Sequence, residues 1–216
     1  MGKLMRLLWL VPYGLIFLTV QWLGLPQTEA YVLTLALLTV YWLALILCAK
    51  RNNRASAYGI CPIKLRSRRD CAMLLPLLLL PILNIVVLGA PKLTALTAVY
   101  IVFIAIGEEF FFRGFLLEVL RDKCGVFAGA VLSALLFALM HCFNGVSAVQ
   151  LVCAAGVGFA LAAARYLTGS LAVPVIVHSC INLTGWQTPI AGHTALHISA
   201  AAVYAAVGYT MLRKCK

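Results

Sequence analysis

Gly107-Glu108-Glu109-Phe110-Phe111-Phe112-Arg113 sets three formal charges inside an apolar run that extends from about Thr94 to Leu120. The chain holds only six acidic residues, and two of them stand side by side here. An ionised side chain at membrane depth costs at least about 2.5–3.5 kcal/mol on insertion scales, so such residues face a bundle interior and are paired or functional. Glu109 and Arg113 are spaced i, i+4 in the favourable acid-before-base order and can pair on one helix face. Glu108 sits about 100° round the helix and meets Phe112 on its own face rather than a cation. Burial without a cation is the setting in which a carboxyl group serves as general base or acid. A structural ion cluster is the alternative, although a staple needs only one acid and one base.

Two further motifs lie on separate apolar runs. One ends in Phe137-Ala138-Leu139-Met140-His141, and another contains His178-Ser179-Cys180-Ile181-Asn182. Each is an i, i+4 pair, so Phe137 supports the face that bears His141, and His178 and Asn182 project together. At about 1.5 Å per residue from the inner helix ends, Glu108 lies ~18 Å deep, His141 ~22 Å, His178 ~10 Å and Asn182 ~17 Å. The four can share one layer near the middle of a bilayer. Amide hydrolysis needs a base for water, an acid for the departing amine and donors for the charge that develops on the carbonyl oxygen. Glu108 with His141 can supply the first two, and Asn182 with His178 the third.

These residues need helices to carry them across a membrane, and the composition provides for that. The 216 residues are 64% hydrophobic and 11% charged, whereas a soluble domain is nearer ~45–50% apolar. The expected fold is therefore all-α, a polytopic bundle of about eight transmembrane helices forming one membrane domain over 1–216. The spans fall near 7–24, 31–49, 72–90, 94–120, 126–142, 147–166, 171–186 and 194–212. Residues 1–90 read as scaffold helices with a basic loop at 50–71, 94–186 as the catalytic core, and 194–212 as a last helix. The net charge of +11 does not call for nucleic acid, because its distribution explains it. With both termini cytoplasmic, 15 of the 17 Lys and Arg residues lie on the inner side, leaving Lys92 outside and Arg113 within the membrane. That asymmetry is the positive-inside pattern.

The remaining features are read more plainly. Loop 50–69 is a positive-inside tether or a docking site for anionic lipid or an acidic substrate segment. Pro76, Pro81 and Asn84 suggest a kinked third span. Glu118, near the inner end of a span of ~40 Å, reads as a solvated or headgroup-level acid. Gly125 and Gly129 form a GxxxG that permits close helix approach. His193 and His197 resemble half a metal motif, but no nearby Asp, Glu or Cys completes it, and they read as interfacial. The eight cysteines contain no CxxC and read as small apolar fillers rather than a disulfide framework. The first apolar run reads as an anchor rather than a signal peptide.

Glu108-Glu109-x-x-x-Arg113, Phe137-x-x-x-His141 and His178-x-x-x-Asn182, in this order on separate apolar runs, resemble the CAAX prenyl endopeptidase and bacteriocin-processing family, the Abi family of intramembrane proteases. The resemblance covers about residues 94–186. It implies an eight-helix bundle with a cavity open to water and a metal-independent glutamate protease that needs no cofactor. Carried over by motif, Glu108 resembles the catalytic Glu that activates water with His141. His178 and Asn182 resemble the oxyanion-stabilising pair, and Glu109 and Arg113 the supporting acid and its ion-pair partner.

The expected function is thus an intramembrane endopeptidase of the cell (inner) membrane. Its substrate would be a protein or peptide presented at the bilayer, with a lipidated Cys, a leader or a C-terminal anchor as candidate recognition features. Three alternatives stand beside it. Zinc could sit among the Glu and His side chains, although Asn182 is a poor ligand. A proton-coupled transporter would use the same charges, but no inverted repeat is visible. A non-catalytic immunity or partner protein of the same fold would keep full activity in Glu108→Ala and His141→Ala.

Overall fold

The computed structural model describes residues 10–144, 146–185 and 193–215. Lys3 and Arg6 of the expected inner charge, the first residues of the first span, and Lys216 lie outside the described residues. Every regular element among the described residues is helical. They are α1 (Leu10–Trp22), α2 (Gln27–Arg51), α3 (Arg68–Leu88), α4 (Ala95–Glu109), a π-helical segment (Phe110–Leu116), α5 (Leu117–Met140), a 3-10 turn (His141–Asn144), α6 (Ala148–Thr168), α7 (Ala172–Gly185) and α8 (Thr194–Lys214). Among the described residues five apolar helices are long enough to cross a membrane, and α1 and α7 are shorter. The 14 residues of α7 span only about 21 Å.

The fourth and fifth expected spans are two helical stretches, 95–124 and 126–140, that meet at a kink at Gly125 (φ 85°, ψ 174°). Only glycine takes that backbone readily. At Gly129 an added Cβ would stand 2.9 Å from the Arg121 nitrogen. The GxxxG therefore makes a tight corner at which the two helices approach closely. Small residues also set the contact between α6 and α8, where an added Cβ on Gly156 would lie 2.6 Å from the Ala201 carbonyl oxygen. Such close approach supplies the dispersion contacts that hold helices together in lipid. Meanwhile Leu43, Leu47, Val86, Leu135 and Val203 are exposed, as expected of surfaces that face acyl chains rather than water. The third span stays helical through Pro76 and Pro81.

Two sequence expectations change. The basic loop is more than a tether, because its middle is built into one end of the bundle. The Tyr58 ring stacks on Phe115 at 4.3 Å, Lys64 N–H donates to the Thr168 carbonyl, and Leu171 N–H to the Gly59 carbonyl. The Ser170 hydroxyl donates to the Cys61 carbonyl at 2.7 Å. Glu118 is buried rather than solvated. It is 4% exposed, bound to Arg121 at 2.6 Å and 3.8 Å from Arg165. All eight cysteines are free.

Candidate active site

Glu108 and Glu109 close α4, and their position is fixed from behind by α2. The Trp42 indole lies flat on Gly107, where an added Cβ would meet it at 2.7 Å, and stacks on Phe103 at 5.2 Å. The chain then widens into the π segment, in which Leu117 N–H donates to the Phe112 carbonyl five residues back. The Ser133 hydroxyl of α5 donates to that same carbonyl at 3.1 Å. π segments inside α-helices cluster at functional sites. Here the segment buries all of Phe110–Leu116 while Arg113 keeps its contact with Glu109.

Arg113 and Glu109 are both fully buried and pair at 2.8 Å. The other Arg113 terminal nitrogen donates to the Gly158 carbonyl at 3.2 Å, and the guanidinium sits 4.3 Å from the centre of the Phe137 ring. A buried charge held by one anion, one carbonyl and one ring face is satisfied on three sides. α7 packs against α4 and brings His178 between the two acids. Nδ1 lies 2.7 Å from the same Glu109 oxygen, and Nε2 lies 3.5 Å from Glu108. Glu108 is thus the carboxylate left without a guanidinium, as its helix face predicts.

His141 starts the 3-10 turn after α5, and its Nδ1 stands 2.8 Å from the Phe137 carbonyl. A carbonyl only accepts, so Nδ1 carries the proton there and Nε2 of the neutral ring is the free lone pair. Glu108, Phe112 and His141 form one wall of a cavity of about 180 Å³. The opposite wall is α1, through Tyr13, Gly14 and Phe17. Phe137 is the hub of the cluster, edge-on to His141 at 4.8 Å and to His178 at 5.5 Å. Glu108, Glu109, Arg113, Phe137, His141 and His178 are therefore brought together. Asn182 is half-buried one turn beyond His178 on α7, and none of the cluster's ion pairs or hydrogen bonds among the described residues reaches it.

Sequence reasoning missed α1, which reads as scaffold because it holds no ionisable side chain beyond Tyr13. The available signal is its stripe of Tyr13, Phe17 and Gln21, all on the cavity and spaced i, i+4, i+8. It also missed the Gly158 carbonyl and the Ser133 hydroxyl, which leave no pattern of their own. Among the described residues no three His, Cys, Asp or Glu side chains are grouped to hold a metal ion.

No curated protein and no solved structure matches the chain. The family described as Type II CAAX prenyl endopeptidase Rce1-like matches residues 90–184. That segment contains every ionisable side chain of the cluster. Over that segment this chain, whose long apolar helices make it a multi-pass membrane protein, is similar to the CAAX prenyl endopeptidases.

Proposed function

We propose that the protein is a glutamate-type intramembrane endopeptidase in which Glu108 and His141 activate one water molecule. The observation that carries this reading is the shared cavity of Glu108 and His141, with His178 3.5 Å from Glu108. Water held between the Glu108 carboxylate and His141 Nε2 loses its proton to Glu108 as its oxygen adds to the scissile carbonyl carbon. The carbonyl oxygen takes the negative charge and accepts hydrogen bonds from Asn182 Nδ2 and His178 Nε2. The C–N bond then breaks as Glu108, with His141, returns the proton to the amine nitrogen. For His178 to donate from Nε2 while Nδ1 donates to Glu109, both its nitrogens must carry protons. Its positive charge and that of Arg113 then balance the two carboxylates, so the buried cluster is neutral as a whole. Glu109 and Arg113 act through His178, which they hold in place.

The substrate is a protein or peptide presented at the bilayer, with a lipidated Cys, a leader or a C-terminal anchor as its recognition feature. Such a peptidase resides in the cell (inner) membrane with both termini cytoplasmic, which agrees with its inner-side basic residues. The reading is tested by comparing the termini of membrane proteins in cells that carry wild type or Glu108→Gln. Specific fragments should be present with wild type and reduced at least 10³-fold in the variant. Purified protein should retain its activity in strong chelators. Equal processing in the two strains removes the protease reading, and loss of activity that zinc restores replaces the mechanism with a metal-assisted one.

A further inference from the structure

The cavity beside Glu108 has two walls of different origin. One carries Glu108 and His141, inside the segment that matches the family. The other is α1, far outside that segment, and it is mainly apolar: the Tyr13 and Phe17 rings, Leu18 and the bare backbone of Gly14, with the Gln21 amide as its one amide side chain. An added Cβ at Gly14 would meet nothing within 4 Å, so the glycine leaves a gap opposite the carboxylate. Tyr13 itself is fixed, stacked on Phe111 at 5.5 Å and edge-on to Phe17 at 5.2 Å. Its hydroxyl is buried without a hydrogen-bond partner among the described residues, the state expected of a donor kept for a group that arrives with the substrate.

Resting on the protease reading, we infer that α1 is the specificity wall of the site. The Gly14 gap receives one medium-sized apolar side chain, of the Leu or Phe class, from the substrate residue next to the scissile bond. The cavity, at about 180 Å³, suits this occupant, since an apolar cavity of about 150 Å³ admits a benzene ring. A substrate residue seated there has its backbone held against Glu108 and His141, so side-chain fit and bond positioning are one event.

The test uses full-length protein in nanodiscs of phosphatidylethanolamine and phosphatidylglycerol and a mixed-sequence peptide library read by mass spectrometry. Wild type should favour Leu or Phe over Ala at one subsite, and Gly14→Leu should lower that Leu-to-Ala ratio of kcat/KM by at least about tenfold. General damage to the enzyme would lower both values and leave the ratio alone. If Gly14→Leu does not fold, Gly14→Ala should lower the ratio by about threefold. Cleavage by wild type with no apolar preference, or with a ratio that neither substitution moves, overturns the inference and leaves the protease standing. Cleavage no greater than that of Glu108→Gln for every peptide removes the protease reading and this inference with it.

Discussion

The helix that starts at α4 carries two buried clusters of acid and base, about two and a half turns apart along the chain, and they are built to different ends. In the first, Glu109 and Arg113 are both fully buried, two imidazoles and a second carboxylate crowd beside them, and a cavity opens at Glu108. In the second, Glu118 binds Arg121, whose side chain is 40% exposed, and approaches Arg165, which donates to the Ala57 carbonyl at 2.8 Å. The second cluster has no histidine and closes on the docked loop 50–69. Each arginine is seated against a glycine, Arg113 on Gly158 and Arg165 on Gly59. A staple needs one acid and its bases. The second cluster also holds a further carboxylate, Asp122, 3.1 Å from Arg121, so the two imidazoles and the cavity at Glu108 are what set the first apart.

Breaking the first cluster at its cation should have the largest effect. Arg113→Met leaves Glu109 buried opposite His178 with its guanidinium gone, a loss of the order of 3–5 kcal/mol. Thermal unfolding in nanodiscs should show it, and activity should fall with it because His178 loses its support. The double variant Glu109→Gln/Arg113→Met should regain much of the stability and none of the activity. Recovery of both would make the first cluster a staple like the second.

Asn182→Ala separates chemistry from support within the same site. If Asn182 donates to the oxyanion, kcat should fall about 10²–10³-fold, or about 2.7–4 kcal/mol of transition-state stabilisation. The unfolding temperature should hardly move, because the half-buried side chain lies outside the ion-pair cluster. A large loss of stability with kcat preserved would turn Asn182 into a packing residue.

The two clusters also differ in how far the sequence discloses them. Glu108, Glu109, Arg113, His141 and His178 are legible because ionisable residues in apolar runs are costly and their spacing is helical. The apolar runs likewise locate the helices to within a few residues. What escapes is whatever depends on backbone register or distant pairing. The π segment is a matter of backbone hydrogen bonding, as in the bond from Leu117 to Phe112, and leaves no residue pattern of its own. Glu118 reads as headgroup-level by counting residues along its span, because its partner Arg165 lies on another helix, far along the chain. The docked loop is held largely through main-chain groups of Ala57, Gly59, Cys61 and Lys64, which any polar loop possesses. α1 walls the cavity with aromatic rings and a glycine, residues that in an apolar helix look like packing.

The paired glycines give a sharper and smaller contrast. An added Cβ would stand 3.1 Å from the Arg113 guanidinium at Gly158, and 2.5 Å from Arg165 Nε at Gly59, where φ is +79°. Both alanine variants should lose about 1–3 kcal/mol to overpacking, with strain added at Gly59. Only Gly158→Ala should lower kcat, by displacing Arg113 and through it Glu109 and His178. Equal losses of kcat would mean that the docked loop communicates with the site.

Glu118→Gln should have the smallest effect. The substituted amide keeps the volume and one acceptor, Arg121 can turn its charge to water, and Arg165 retains the Ala57 carbonyl, so the loss should be about 1 kcal/mol, as for partly exposed pairs. Turnover should stay within about threefold of wild type. Glu109 offers the opposite case, because one of its oxygens serves both Arg113 and His178 and its other oxygen is buried without a partner. The same change there disturbs the orientation of an imidazole that faces Glu108. A fall in turnover in Glu118→Gln as large as that in Glu109→Gln would mean that the two clusters work as one charge network along the helix.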